Sequence, residues 1–346
     1  MGGFSNQSIS KTVLQTLSIA LCTYNGARFL REQLQSLANQ TLLPFEVVIT
    51  DDCSTDNTFD IIQEFSNVLN IKYFQNEKPL KVTKNFEKAI SLCTGDIILM
   101  CDQDDLWHVD KLAKIHTYFQ ENPKNIVVFS DAELVDEQGK SLNQNFWSAV
   151  RFHEVQRNLW KAGFWVDILL AGNRSAGCMM AFRKELRGII LPFPTHIPEM
   201  IHDNWITIVA AMMDSLGMIE EKLISYRQHS FQQIGTRPKE VRQTISLKDR
   251  FSRPRNEKLV PFLAKRDYFC TLKAVLEERI DKSNPNFQKF DQIINYYETR
   301  GSLSPFHLAR ISDVLKLLIK GDYHRYKDQE ASWKAPYIAL LGDIFE

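Results

Sequence analysis

The sequence predicts an α/β fold with a doubly wound mixed sheet, followed by a helical C-terminal region. Short apolar runs alternate with amphipathic stretches over the first hundred residues, as strands and helices do in a parallel sheet. A polar cluster follows three of these runs. From about residue 235, proline and basic residues precede stretches with helical spacing. We therefore expect an N-terminal tail over residues 1–16, an α/β domain over 17–234 and a helical region over 235–346.

Hydrophobic periodicity assigns the individual elements. The predicted strands span residues 17–22, 45–50, 71–74, 96–101, 126–129, 177–182 and 219–226. Helical stripes between the early strands are Leu30, Leu34 and Leu37; Phe59, Ile62 and Phe65; and Phe86, Ala89, Ile90 and Cys93. Later helices are predicted over 203–214, 259–280, 286–298 and 305–319.

Composition restricts the class of protein. Lys+Arg and Asp+Glu both number 42, so there is no overall electrostatic case for a nucleic-acid partner. The six cysteines form no C-x-x-C pair, and we interpret them as core thiols in a reducing compartment. No signal-peptide pattern and no apolar stretch of ~18 residues is present. We expect a cytoplasmic location.

Three polar clusters follow predicted strands, at residues 23–26, 51–54 and 102–105. In an open parallel sheet, ligands bind at the carboxyl ends of the strands. These clusters are therefore predicted to share one edge of the sheet. Asp51 and Asp52 are candidates for hydrogen bonding to a base and ribose, although helix capping is the alternative explanation.

The cluster containing Asp102, Asp104 and Asp105 is the strongest single feature. Three carboxylates within four residues repel one another unless a cation lies among them. Mg²⁺ and Mn²⁺ prefer such hard oxygen ligands, often together with substrate phosphates. A solvated acidic turn before a helix near Asp110 would explain the same residues.

Asp203 begins a predicted apolar helix and follows His202. An Asp at a helix start usually caps the helix, and a neighbouring His is often a surface residue. Asp203 has no cation close to it in sequence. A carboxylate in such surroundings can also serve as a general base.

Taken together, these segments resemble the family 2 glycosyltransferases, which have the GT-A fold. The matching segments are Ala-Leu-Cys-Thr-Tyr-Asn-Gly, Gln-Ser-Leu-Ala-Asn-Gln-Thr, Val-Val-Ile-Thr-Asp-Asp-Cys-Ser-Thr-Asp-Asn-Thr and Gly-Asp-Ile-Ile-Leu-Met-Cys-Asp-Gln-Asp-Asp-Leu-Trp. The resemblance covers about residues 16–230. It implies an inverting, metal-dependent transfer of a sugar from a nucleotide-sugar to an acceptor hydroxyl.

The resemblance also implies roles for individual residues. Thr23, Tyr24 and Asn25 occupy positions that line the nucleotide pocket, and Asp52 occupies the position that contacts base or ribose, with Asp51 beside it. Asp102-x-Asp104 resembles the D-x-D motif, in which the second aspartate binds Mn²⁺ or Mg²⁺. Asp203 occupies the position of the general base, and His202 could orient it.

Two departures refine this expectation. Many relatives carry Glu-Asp where this chain has His202-Asp203, and the Q-x-x-R-W motif of processive synthases is absent, so we expect non-processive transfer. His202-Asp203 and residues 226–229 resemble the bacterial rhamnosyltransferase-like subgroup. This implies a dTDP-linked deoxysugar, with a UDP-linked hexose as the alternative, and a glycan or lipid-linked acceptor of cell-surface polysaccharide synthesis.

Other interpretations stay open at this point. A sugar-nucleotide-forming nucleotidyltransferase would need a glycine-rich basic loop after the first strand, and residues 23–28 hold one Gly and one Arg. A non-catalytic nucleotide-sugar-binding protein is the third hypothesis. Trp147, Trp160 and Trp165 fit the core or a sugar platform. The basic stretch 248–255 and the aromatic stretch 323–337 fit peripheral membrane contact, a covering role or a homodimer interface.

Overall fold

The computed structural model describes residues 15–230, 254–327 and 333–346. Within these residues, nine strands form one sheet. They are β1 (Leu17–Thr23), β2 (Glu46–Asp51), β3 (Ile71–Gln75), β4 (Ile97–Cys101), β5 (Leu106–Trp107), β6 (Val127–Val135), β7 (Ser141–Asn145), β8 (Met180–Arg183) and β9 (Leu216–Arg227). Their order across the sheet is β3-β2-β1-β4-β8-β6-β9-β5, and β7 pairs with β6.

Helices connect these strands and form the C-terminal region. Those before residue 230 are α1 (Leu30–Ala38), α2 (Thr58–Glu64), α3 (Lys81–Leu92), α4 (Lys111–Glu121), α5 (Phe146–Ala149), α6 (Glu154–Lys161), α7 (Trp165–Leu170), α8 (Arg187–Ile190) and α9 (His202–Met212). The later ones are α10 (Arg255–Glu277), α11 (Phe287–Gly301), α12 (His307–Ile319), α13 (Asp322–Arg325) and α14 (Ala335–Phe345).

The first four strands form a doubly wound parallel unit. β1 pairs in parallel with both β2 and β4, and β2 pairs in parallel with β3. β2 and β4 are buried along their whole length, which explains why residues 47–49 of β2 and all of β4 are apolar. The chain reverses its direction of winding between β1 and β4, and the crevice at such a switch point is where ligands bind.

The remaining strands make the sheet mixed, which confirms the predicted fold class. β8 is antiparallel to β4 and β6, whereas β6 and β9 are parallel. The predicted strand over 177–182 is partly wrong, because Gly177–Met179 form a 3₁₀ turn before β8. The predicted stripe of α2 is also partly wrong. Ile61 and Ile62 face the core, while Phe59 is exposed and packs on Tyr73.

Several expectations about individual side chains can be assessed. Trp147 and Trp160 are core residues, and Trp165 packs against the core. Cys93, Cys101 and Cys178 are buried thiols as predicted, but Cys270 is exposed because it lies on the outer side of α10. All six cysteines are free.

The C-terminal helices are attached to the α/β domain through a shared core. Leu276 of α10 and Phe290 of α11 belong to the same hydrophobic cluster as the strands. A second cluster joins α10, α11, α12 and α13. The proposed boundary between residues 234 and 235 and most of the proposed N-terminal tail lie outside the described residues. In the part of the chain that the structure describes, no helix is both long and apolar enough to cross a membrane.

Candidate active site

A cavity of about 430 Å³ opens where the loops after β1, β2 and β4 meet the start of α9. All of the site residues predicted from the sequence line this cavity, except Asp51. They are Thr23, Tyr24, Asn25, Asp52, Asp102, Asp104, His202 and Asp203. The fold therefore brings residues more than 170 positions apart into one pocket, as the topology requires for a site at the carboxyl edge of the sheet.

Asp51 lies behind the cavity wall. Its carboxylate is fully buried and accepts hydrogen bonds from the Thr23 hydroxyl at 3.0 Å and from the Ser54 backbone N–H at 2.7 Å. These bonds join the ends of β1 and β2. The expectation that Asp51 contacts a nucleotide is therefore corrected to a positioning role for Thr23.

The loop after β1 is held by the loop after β2. The Asn25 backbone N–H donates to the Ser54 hydroxyl at 2.8 Å, and its side-chain oxygen accepts from the Thr55 N–H at 2.9 Å. Asn25 has a φ of 46°, in the left-handed region that Asn tolerates better than most residues. The resulting turn leaves the Tyr24 ring about half exposed at the cavity wall.

Gln103 joins the loops after β1 and β4. Its amide side chain accepts from the Tyr24 N–H at 2.9 Å and donates to the Tyr24 carbonyl at 3.1 Å. Gly26 permits this contact, because a Cβ atom there would lie 2.4 Å from the Gln103 Oε1. Gln103 also lines the cavity and was not predicted from the sequence, because the carboxylates of Asp102 and Asp104 on either side carry the recognisable chemistry.

Asp52 fixes the loop after β3 against the cavity. Its Oδ1 accepts from the Leu80 N–H at 2.6 Å and from the Asn76 side chain at 2.8 Å, and its Oδ2 accepts from the Lys81 N–H at 2.9 Å. Oδ2 thus keeps one acceptor position. Since Asp52 also lines the cavity, it can both hold this loop and accept a hydrogen bond from a ligand.

The acidic cluster forms one side of the cavity. Burial, together with the negative charges of Asp104 and Asp105, raises the pKa of Asp102 well above its usual range. Asp104 Oδ2 lies 2.8 Å from His229 Nε2, and both residues line the cavity. Two carboxylates and an imidazole therefore face the same space, which is a donor set that suits a divalent cation.

A second acidic group lies deeper. The ligand atoms of Asp102, Asp105 and Cys178 lie within 4.8 Å of one another. Burial and the Asp104 charge raise the pKa of Asp105 to about 7, and burial lowers the pKa of the nearby Lys111 to about 7. Asp102 lines the cavity, but Asp105 and Cys178 do not. The fit to a metal that contacts substrate is better at Asp102, Asp104 and His229.

Asp203 lies in the first turn of α9 and is only 4% exposed. Burial raises its pKa to about 7, although hydrogen bonds from the Asn204 N–H and from the Asn173 side chain oppose this increase. A carboxylate with a pKa near neutrality is suited to accept a proton at physiological pH. Its negative charge also contributes to the raised pKa of Asp102, which indicates that the two groups are close.

His202 differs from its expected role. Its ring packs between Phe86 and Phe193, with centroid distances of 4.6 and 6.2 Å. Burial lowers its pKa to about 4, so the imidazole is neutral at physiological pH. The described contacts include no hydrogen bond to Asp203, because adjacent helical residues face different directions. His202 Nδ1 has no hydrogen-bond partner among the described residues.

This arrangement defines a class of protein, a GT-A-type enzyme fold with its ligand cavity at the carboxyl edge of the sheet. Residues 18–185, just under half of the chain, match the sequence profile described as Glycosyl transferase family 2. This segment is similar to the family 2 glycosyltransferases. The match ends before α9, so the start of that helix belongs to the site through the geometry described above.

Two curated relatives each match about the same share of the chain. An uncharacterized protein of Mycobacterium tuberculosis, Rv1520, is 28% identical over 62% of this chain and 59% of its own length. An uncharacterized glycosyltransferase of Nostoc sp., alr2836, is 26% identical over 62% of this chain and 65% of its own length. The chain thus spans somewhat less than two thirds of the length of these relatives.

The third relative also has a solved structure. Poly(ribitol-phosphate) beta-N-acetylglucosaminyltransferase TarS of Staphylococcus aureus is 32% identical over 33% of this chain and 21% of its own length. The crystal structure of S. aureus TarS 1–349 in complex with UDP-GlcNAc has a TM-score of 0.53 and 17% identity, covering 95% of this chain and 81% of that chain. This likeness shows a shared fold.

Proposed function

We propose that the protein is an inverting, metal-dependent, non-processive glycosyltransferase. It moves one sugar from a nucleotide-sugar donor to a hydroxyl group of a glycan or lipid-linked acceptor in cell-surface polysaccharide synthesis. One observation supports this most strongly: a single cavity joins an acidic cluster to a buried carboxylate, Asp203, whose pKa is about 7. The family 2 segment and the similarity to TarS point to the same chemistry.

The nucleotide occupies the part of the cavity lined by Thr23, Tyr24, Asn25 and Asp52. The half-exposed Tyr24 ring offers a surface for stacking on a base. The free acceptor position of Asp52 Oδ2 suits the imide N–H of a pyrimidine or a ribose hydroxyl. Because hydrogen bonds already fix both loops, little further ordering is needed when the donor binds.

Asp102, Asp104 and His229 are the residues that would hold Mn²⁺ or Mg²⁺. They fit because carboxylate oxygens and an imidazole nitrogen face the same space, and because the charges of Asp104 and Asp105 add to the effect of burial in raising the pKa of Asp102. A divalent ion bound there would offset the charge of the departing nucleoside diphosphate. Asp104 follows Asp102 by two residues, and its Oδ2 lies 2.8 Å from His229 Nε2. We therefore take Asp104 as the central ligand.

Asp203 accepts the proton during the transfer. The acceptor oxygen attacks the anomeric carbon, the bond from that carbon to the phosphate oxygen breaks, and the acceptor proton moves to the Asp203 carboxylate. One direct displacement inverts the configuration and requires no covalent sugar intermediate. Burial suits Asp203 to this step, because it excludes water and raises the affinity of the carboxylate for the proton.

We expect the donor to carry a pyrimidine base, and among pyrimidines we expect dTDP to bind more tightly than UDP. The subgroup resemblance at His202-Asp203 supports a dTDP-linked deoxysugar such as rhamnose, whereas the TarS similarity supports UDP. Competitive calorimetry with dTDP, UDP, GDP and ADP in the presence of Mn²⁺ separates these expectations. A clear preference for UDP would overturn the rhamnosyl assignment, and a preference for GDP or ADP would overturn the expectation of a pyrimidine base.

We also expect His202→Phe to lower turnover by less than Asp203→Asn. Phenylalanine preserves the packing between Phe86 and Phe193 but removes the ring nitrogens of a residue that lines the cavity. The effect should therefore appear mainly in the KM for the donor and be about tenfold, as for one lost hydrogen bond. Steady-state kinetics test this. A loss equal to that of Asp203→Asn would show that His202 participates directly in proton transfer.

A further inference from the structure

The C-terminal helices expose a large apolar surface. Ten of the 21 exposed large hydrophobic side chains in the described residues lie between residues 306 and 345. On α12 and α14 they are Leu308, Ile311, Leu315, Ile319, Tyr337, Ile338, Leu341 and Phe345. Single exposed apolar residues are normal on a protein surface, whereas a cluster of this kind marks an interaction site.

These side chains lie on the side of each helix that faces away from the protein. α12 buries Arg310, Val314 and Leu317, while its exposed apolar residues recur every three or four positions on the opposite side. The helix is therefore apolar on two sides, and the protein's own core accounts for only one of them. α14 likewise packs Leu340 inward and exposes its other apolar side.

The two helices form one outer surface. The Arg310 guanidinium near the start of α12 donates to the Asp343 and Ile344 carbonyls near the end of α14. The rings of His324 and Tyr337 lie 5.4 Å apart close to the opposite ends. The helices are thus antiparallel neighbours, and both pack their inner sides on the same hydrophobic cluster. We call the surface formed by the exposed apolar residues of α12 and α14 the outer C-terminal face.

Exposed basic side chains lie on or next to the two helices that form this face. Lys316, Lys320 and Lys334 are exposed, and the nearby Asp313 is paired with Lys316 at 2.9 Å. Trp333 is 72% exposed beside Lys334. Apolar and aromatic side chains flanked by Lys and Arg are typical of helices that lie in the interface of an anionic membrane.

We infer that the outer C-terminal face docks on the surface of an anionic lipid bilayer. The apolar residues would enter the boundary between headgroups and acyl chains, and the lysines would face the lipid phosphates. A second copy of the chain fits less well, because a two-fold contact would bring the same lysines of both copies together. The inference does not depend on the proposed function, although a membrane location would suit transfer to a lipid-linked acceptor.

Liposome flotation of the full chain tests this directly. The wild-type protein should float with vesicles of phosphatidylglycerol and phosphatidylcholine, less with phosphatidylcholine alone, and less again at high salt. Leu315→Ser combined with Leu341→Ser should lower the partition coefficient at least tenfold. Lys320→Gln combined with Lys334→Gln should lower binding only to the anionic vesicles. The matched control is Val68→Ser combined with Val155→Ser, which changes exposed apolar residues of the α/β domain.

Light scattering without lipid tests whether a second copy of the chain, and not a membrane, covers the outer C-terminal face. A wild-type dimer that becomes monomeric in the Leu315→Ser, Leu341→Ser variant, with no change in vesicle binding, would overturn the inference in favour of a contact between copies. Equal flotation of this variant and the control would also overturn it. Circular dichroism and thermal unfolding show whether each variant is folded, and all of these positions lie outside the cavity.

Discussion

Asp203→Asn should lower turnover by about 10²–10⁴-fold, which is the usual contribution of a positioned general base. Asparagine preserves the size of the side chain and can still accept the hydrogen bond from the Asn204 N–H, but it cannot take the proton of the acceptor hydroxyl. Donor and metal binding should change much less than turnover, because Asp203 is not among the residues that would hold the ion or the nucleotide. Steady-state kinetics and donor calorimetry on the same preparation separate these effects.

The pH dependence gives a second measurement of the same residue. Asp203 must be ionised to act as a base and has a pKa of about 7, so turnover should rise with pH through 7 and then level off. The variant should lack this rise. The matched control is Asp214→Asn, which changes an exposed carboxylate just beyond the other end of α9 and should retain wild-type turnover.

The contribution of Asp203 to the stability of the fold should fall as pH rises, whereas turnover should rise. The pKa of Asp203 is higher in the folded protein than in the unfolded chain, so the group stabilises the fold at low pH and this contribution is lost as pH rises through 7. Asp203→Asn should therefore raise the unfolding temperature at pH 8, with a smaller difference towards pH 4. A variant that loses stability and donor binding at pH 8 would show that Asp203 is a structural cap.

Asp104→Asn should lower turnover by at least about 10³-fold. A bound metal stabilises the transition state in which the diphosphate departs by several kcal/mol, and each 1.36 kcal/mol corresponds to about tenfold in rate. Unlike Asp203→Asn, it should also weaken donor binding, since the diphosphate and the carboxylate share the ion. Calorimetry of donor binding with Mn²⁺ and with excess chelator tests this difference between the two variants.

Asp110→Asn is the matched control for Asp104. Asp110 lies six residues further along, pairs with Lys114 at the start of α4 and does not line the cavity. It should leave turnover and donor affinity unchanged. Full activity of Asp104→Asn, or of the wild-type protein in excess chelator, would contradict the proposed metal dependence.

The strands and the position of the site could be predicted because their causes are local. The central strands β1, β2 and β4 have mainly apolar centres, and the polar residues that follow them are placed at the edge of the sheet by the topology. Asp51 and Asp52 show the limit of this argument. Successive residues of an extended chain face opposite sides, so Asp52 reaches the cavity and Asp51 does not.

Features that depend on distant contacts could not be predicted. His229 meets Asp104 across 125 positions, and although residues 226–229 carry part of the subgroup resemblance, that resemblance did not place His229 beside Asp104. The unpartnered Nδ1 of His202 depends on how Phe86 and Phe193 enclose the ring. Similarly, α10 and α11 read as an independent helical region in sequence, yet Leu276 and Phe290 join the main core.

The most direct test of the proposed activity is the product released from a nucleotide-sugar. Purified protein is mixed with a panel of dTDP-, UDP- and GDP-linked sugars and Mn²⁺, with and without chelator, and nucleoside diphosphate and pyrophosphate are measured. We predict metal-dependent release of nucleoside diphosphate from a pyrimidine-linked donor, strongly reduced in both Asp104→Asn and Asp203→Asn. Release of pyrophosphate, or nucleoside diphosphate release that neither variant reduces, would contradict glycosyl transfer at this cavity.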